Sequence, residues 1–389
     1  MRTIVYGIEA DAGRGLKVAA GSDPQPIDSK YQSNPVLGVF GNLDLGFIVR
    51  IVLSLLAILF TYDSITGEKE KGTLRLVLSN RLPKDKLIVG KAIGGFLCLL
   101  VALFIPFILS LVILMAYPNI SLAGDDWARI ALIFLLFLLY ISVFFMLGFF
   151  ISARTHRSAT SFLVLLFIWV TFVTIIPKVS VMVAAQLRPI PSANEIALKK
   201  DQFLQGLYKE TMIKLDAWIK ANPRPEKRED RVSWADKITK YSIDLAQERQ
   251  QKYEEYTATV DRDYQLKKRS QDQLAADLSR ISPTGSLTFA SMSLARTGLD
   301  EYRNFLNSVR LYWPIWYKWT FSKTQGGPPP AIGSPPLKLD LSDMPQFRYL
   351  PERINSSIRP ALIDFGIMGI MIILFFAGAY WSFVRYDVR

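Results

Sequence analysis

Ile130-Ala-Leu-Ile-Phe-Leu-Leu-Phe-Leu-Leu-Tyr-Ile-Ser-Val-Phe-Phe-Met-Leu-Gly-Phe-Phe-Ile151 runs for 22 residues without a charged side chain. A bilayer's hydrocarbon core is about 30 Å thick, and an α-helix needs roughly 20 apolar residues to cross it. The stretch therefore reads as a membrane-spanning helix. Four more segments read the same way. Leu43–Phe60 carries one charge, Arg50, and Ala92–Tyr117 is uncharged around Pro106, which a membrane helix tolerates where neighbours satisfy the freed carbonyl. Phe162–Pro177 continues as an amphipathic pattern to Leu187. Ala361–Val384 holds Asp364 near its start and is followed into an aromatic cluster of Tyr380, Trp381 and Tyr386, residues that favour headgroup depth.

The expected fold is thus all-α, a polytopic membrane helix bundle of five spans with a large helical domain outside the membrane. Composition agrees: 50% of the residues are hydrophobic, mean hydropathy is +0.22, and the apolar residues are gathered in blocks. The net charge of +12 suits a membrane protein whose Lys and Arg face anionic lipid on one side. No basic stripe with interleaved aromatics marks a nucleic-acid surface. One cysteine, Cys98, and one histidine, His156, exclude an intrachain disulfide, a thiolate cluster and the usual nucleophilic triads, and make a His-ligated metal site improbable. No signal-peptide pattern precedes the first span.

Charge sets the expected orientation. The connection 63–91 holds seven Lys/Arg against four Asp/Glu, the link 153–160 holds Arg154 and Arg157, and the C-terminal tail carries Arg385 and Arg389. The opposite short connection, 118–127, holds Asp125 and Asp126 and no base. The positive-inside rule places the first group and the C-terminus in the cytoplasm. The organisation expected is an extracytoplasmic N-terminal segment (1–42), a four-span region (43–187) with a cytoplasmic loop at 63–91, an extracytoplasmic helical domain (188–360), and a last span with its tail (361–389).

Within the external domain, Phe203, Leu207, Leu215 and Trp218 keep one helix face apolar. Trp234, Ile238, Tyr241 and Leu245 begin a longer series that runs through Tyr253, Tyr256, Val260 and Tyr264 to Leu278. Steps of three and four predict an antiparallel helical hairpin turning at Asn222–Pro225. Ser286–Val309 reads as a further helix. Leu311–Trp319, with three Trp and two Tyr, reads as an interfacial belt or a stacking platform, and Gly326–Pro336 as a polyproline linker.

No phosphate-binding GxxxxGK[ST], HExxH, GxSxG or GxGxxG motif occurs, so no enzyme activity and no cofactor are expected in this chain. The loop between the first two spans is the distinctive segment. It reads Tyr62-Asp-Ser-Ile-Thr-Gly-Glu-Lys-Glu-Lys-Gly-Thr-Leu-Arg-Leu-Val-Leu-Ser79, then Lys84-Asp-Lys-Leu-Ile-Val-Gly-Lys91. It offers two short amphipathic helices, Thr73–Leu78 and Lys84–Val89, and a dense charge alternation. By itself that alternation also fits a solvated turn at the headgroups. Inside the spans Arg50 and Asp364 stand out, because an intramembrane charge is by default a functional candidate. Arg50 can snorkel outward or pair with Asp364.

The loop resembles the one after the second membrane helix in type-2 ABC transporter permeases, through Tyr62, Asp63, Ile65, Gly67, Glu68, Glu70, Gly72, Thr73, Leu74, Leu78, Ser79, Gly90 and Lys91. The stretches Asn34–Asp44, Ile281–Pro283 and Leu294–Leu306 are similar to the subgroup with a large extracytoplasmic insertion. That subgroup includes permeases of nitrous oxide reductase maturation and of gliding motility. The resemblance implies a permease subunit working with a separate ABC ATPase, which binds the ATP, and with a second permease copy. It implies ATPase coupling through Gly67, Glu68, Glu70, Gly72 and Thr73, with Arg154 and Arg157 as a second contact. It also implies six spans, so either this is a shortened variant or a first helix lies upstream of the given start. The competing reading is a non-transporting scaffold whose external hairpin binds an envelope protein.

Overall fold

The computed structural model describes residues 4–5, 15–19, 22–27, 44–79, 83–116, 122, 124–324, 341–349 and 353–386. The Gly326–Pro336 linker and most of the Asn34–Asp44 motif lie outside them. Five helices are long and apolar enough to cross a membrane: Leu45–Glu70, Lys84–Ala116, Gly124–Arg154, Ser158–Leu187 and Ile354–Val384. The predicted polytopic bundle is therefore present. Its one strand pairing among the described residues is an antiparallel hairpin, β1 (Gly15–Ala19) and β2 (Ser22–Ile27). Pro24 and Pro26 within β2 hide it from a strand reading.

We number the helices α1 (45–61), α2 (Thr66–Glu70), α3 (Thr73–Ser79), α4 (Lys84–Ala116), α5 (Gly124–Arg154), α6 (Ser158–Leu187), α7 (Ala193–Ala221), α8 (Arg228–Ser279), α9 (Pro283–Leu294), α10 (Leu299–Thr324) and α11 (Ile354–Val384). The short helix expected at Lys84–Val89 is the first two turns of α4 rather than a separate element. Helix α6 runs without a break through a π-helical turn at Thr171–Ile175. A second π-helical stretch, Ile48–Leu53, lies in α1 and contains Arg50.

Helix α5 is the hub. Its most apolar stretch is 56% buried, against 17% for the corresponding stretches of α4, α6 and α11. The latter present most of their surface outward, as lipid-facing helices do. Since lipid offers no hydrophobic drive between helices, close backbone approach through small residues supplies the packing. At Gly148 of α5 a Cβ would collide with Thr61 Oγ1 of α1, so only glycine lets these two helices meet.

Two compact units form: Met1–Pro177 with Ser279–Arg389, and Lys178–Leu278. The second contains the expected hairpin. Its seam is aromatic, with Phe203 stacked on Tyr256 at 3.8 Å and Trp218 on Tyr241 at 5.5 Å. Ser192 and Glu195 form a reciprocal capping box at the start of α7. Lys200–Asp261 and the four-residue network of Glu210, Lys214, Glu248 and Lys252 cross between α7 and α8.

The sequence-based division at 188–360 does not match these units, because residues from Ser279 onward belong with the bundle. The single helix expected over Ser286–Val309 is two, α9 and α10, separated at Ala295–Gly298, where Arg296 adopts a left-handed φ of 56°. Helix α9 is buried along most of its length. Thr284 at its start meets Tyr140, and Leu294 at its end meets Arg129, both on α5. Those two α5 positions lie about 16 Å apart at 1.5 Å per residue, close to the length of α9 itself. Helix α9 is therefore a re-entrant element lying beside α5 inside the bundle. Non-helical backbone at such depth, as in the 280–282 turn, is tolerated only when protein encloses it.

Candidate coupling site and the buried polar residues of the bundle

The loop after α1 folds back onto the ends of α5 and α6. After Tyr62 the chain turns and α2 begins at Thr66, which is fully buried. The amides of Ile65 and Thr66 both donate to Ser152 Oγ, at 3.0 and 3.1 Å, and Thr66 Oγ1 donates to the Ser152 carbonyl at 3.0 Å. One turn on, Lys69 Nζ donates to the carbonyls of Ala153 and Thr155 at the end of α5 and lies 4.7 Å from the Tyr386 ring centroid. A cation on the last carbonyls of a helix complements its negative end. Glu70 Oε2 then accepts from the Ser158 amide at 3.0 Å and the Ser158 hydroxyl at 2.7 Å. That carboxylate caps the positive first turn of α6.

The loop's second arm is also fastened. Lys91 Nζ meets Glu68 Oε1 at 2.6 Å and donates to the Ser64 carbonyl at 2.7 Å. Lys84 Nζ donates to the carbonyls of Val384 and Tyr386, at 3.2 and 2.9 Å, at the end of α11. Gly72, with φ 74°, separates α2 from α3 in a conformation that disfavours any Cβ. Gly67 carries no such requirement, since a Cβ there would meet Asp63 at an ordinary 3.5 Å.

The structure thus brings Gly67, Glu68, Glu70, Gly72 and Thr73 together with Arg154 and Arg157 at one end of the bundle. Glu68 and Glu70, expected to reach outward, are each engaged within the chain. The exposed surface includes Asp63, Glu70 itself, Lys71, Gly72, Thr73, Arg154, His156, Arg157 and Leu76, which is 70% exposed. Sequence reasoning missed Lys69, Ser152, Ser158 and Lys84. Ser152 and Ser158 were visible only as ordinary polar residues flanking a span.

The two intramembrane charges do not pair with each other. Asp364 on α11 is fully buried, and its Oδ1 accepts from Arg280 Nε at 2.8 Å. Arg280 lies in the turn before α9, a segment expected outside the membrane, so the re-entry of that segment supplies the partner. Arg50 contributes through its backbone: its carbonyl accepts from Tyr140 Oη at 3.0 Å and from Ser54 Oγ at 2.5 Å. Trp169 Nε1 donates to Ser54 Oγ at 2.8 Å, and Ser282 Oγ donates to the Phe172 carbonyl. Nearer the start of α5, the fully buried Arg129 donates through Nη1 to the Leu294 carbonyl at 2.9 Å and to Ser357 Oγ at 3.0 Å. Buried polar groups need such partners, because an unmade hydrogen bond inside the bundle costs more than a made one returns.

A five-span α-helical bundle with a charged loop clamped across one end is an integral membrane protein built to hold that loop rigidly against its spans. The chain belongs to the ABC-2 family transporter proteins, which it matches over residues 9–388. It is 34% identical over 85 residues to the "Probable ABC transporter permease protein NosY" of Stutzerimonas stutzeri, covering 22% of this chain and 31% of that one. It is 38% identical over 77 residues to the protein of the same name from Pseudomonas aeruginosa, covering 20% and 28%. The chain thus spans less than a third of the length of these curated relatives.

Proposed function

We propose that this chain is the membrane subunit of an ABC transporter in a bacterial inner membrane, with its C-terminus and the 62–91 loop in the cytoplasm. A separate ATPase subunit docks on that loop and on the 154–157 link, and binds and hydrolyses the ATP. Two copies of the membrane chain work with two ATPase subunits. The observation that carries this reading is the clamping of α2 to α5, α6 and the end of α11. A rigid-body displacement of the loop by a closing ATPase dimer then passes directly into three spans. The contact surface is the exposed rim of Lys71, Gly72, Thr73, Leu76, Arg154 and Arg157. Glu68 and Glu70 act as positioning residues that hold Lys91 and the start of α6.

The test is copurification of the membrane chain with its ABC ATPase from detergent. Leu76→Asp combined with Arg157→Glu is expected to abolish copurification while leaving the thermal transition of the membrane chain in place. Undiminished ATPase binding by that variant overturns the assignment of the rim.

A further inference from the structure

Helix α10 carries a bare apolar patch that the bundle does not use. One face is covered by the strap 341–349: Tyr312 Oη donates to the Pro345 carbonyl at 2.6 Å, and Phe305 packs edge-on against Phe347 and Tyr349. Beside that covered face, on the adjoining side of the helix, Leu311 is 76% and Ile315 57% exposed, with Pro314 between them in the chain. The assembly sits where spans begin. Arg296, three residues before α10, reaches Asp126 in the first turn of α5 at 3.6 Å. Tyr349 Oη donates to Glu301 at 2.7 Å, four residues before the cap of α11.

Charge at this end is uneven. The acids Asp126, Asp300, Asp343 and Glu301 are engaged by Arg296, Arg303, Lys323 and Tyr349, and Asp125 is exposed. Arg310, Lys318, Arg348 and Arg353 are exposed and make no ion pair among the described residues. An apolar helix face flanked by cations is the pattern of a helix lying in a bilayer interface, and each base near an anionic surface adds attraction.

We propose that α10 and its strap form a plate lying on the membrane that the protein spans. Leu311 and Ile315 enter the acyl region at its edge, and Arg310, Lys318, Arg348 and Arg353 bind anionic phospholipid headgroups. The plate is the occupant of bilayer surface at the end where α5 and α11 begin.

The test uses the full chain in nanodiscs, with Cys98→Ser as background and a nitroxide label on Leu311→Cys or, separately, Ile315→Cys. The native Cys98, exposed on α4, gives the reference for a lipid-facing label. In discs of equal parts phosphatidylcholine and phosphatidylglycerol, collision with oxygen should exceed collision with a water-soluble nickel chelate several-fold at both sites. Dominance of the nickel chelate at both sites overturns the proposal. Adding Arg310→Gln and Lys318→Gln should raise nickel access several-fold in those discs. No change on that substitution, with no difference in phosphatidylcholine alone, overturns the headgroup assignment.

Discussion

The Glu70 carboxylate holds the first turn of α6 through both the amide and the hydroxyl of Ser158, across a sequence separation of 88 residues. The acidic pair in this loop is therefore part of the membrane chain's own framework, and its mutation acts first on that framework. Glu70→Ala is expected to speed hydrogen exchange over residues 158–162 and to lower the melting temperature in detergent. Ser158→Ala should have a smaller effect, because the amide of residue 158 still donates to Glu70, and adding it to Glu70→Ala should change little further. Lys71→Ala, on the exposed rim, should leave exchange and melting unchanged.

Gly148 and Thr61 set the approach of α1 to α5. Gly148→Ala forces a Cβ onto Thr61 Oγ1 and should cost about 1–3 kcal/mol of stability, the usual range for overpacking. Thr61→Ala in the same background removes Oγ1 but keeps the Thr61 Cβ at 2.8 Å from the added methyl. Only part of the loss should then return, as read by thermal denaturation of both variants in one detergent.

In the Arg280–Asp364 pair the acid is fully buried and the base only partly so, and the loss depends on which side is removed. Arg280→Met strands the buried Asp364 carboxylate and should destabilise by roughly 3–5 kcal/mol, more than Asp364→Ala, which leaves a partly exposed guanidinium. Replacing both partners together, as Arg280→Met with Asp364→Leu, should cost far less, because no uncompensated charge remains. Equal losses in the single and double variants would exclude an electrostatic origin.

On the hairpin, Glu248 is held down to about 2 from 4.5 by hydrogen bonds from Lys252 and Lys214 and by their charges. Lys214 is raised above its ordinary 10.5 by the hydrogen bonds it donates to Glu210 and Glu248. A depressed acid contributes above its unfolded value and loses that contribution as pH falls toward its folded one. A raised base contributes below 10.5 and loses it as pH rises beyond. Protection of α7 and α8 amides from exchange should therefore be flat between about pH 5 and 10 and fall below pH 4.5. Because the network is exposed, high salt should shrink the acid-side change. Glu248→Gln should remove most of it.

The spans and the hairpin were legible because long apolar runs and three-four spacing are local signals. Ile130–Ile151 and the Phe203–Trp218 series each carry their own answer. Helix α9 was not legible in that way. Its twelve residues are too few to cross a bilayer, and their mixture of Ser, Thr, Gly and Leu has no strong periodicity. The small residues Gly285, Ser286, Ala290 and Ser291 were the available signal, because they suit close packing among membrane helices. Reading α9 as part of a separate helical domain also hid Arg280 as the partner of Asp364. In the loop, the partners of Glu68 and Glu70 within the chain, Lys91 and Ser158, lie 23 and 88 positions away, beyond any local pattern.

The burial of α9 also orders the events of biogenesis. A twelve-residue element with several hydroxyls has neither the length nor the apolarity to partition into lipid as a span of its own. Two of the groups that hold its ends, Ser357 for the Arg129 cluster and Asp364 for Arg280, belong to the last span. The polar ends of α9 are therefore satisfied only once α11, which is synthesised after it, has taken its place.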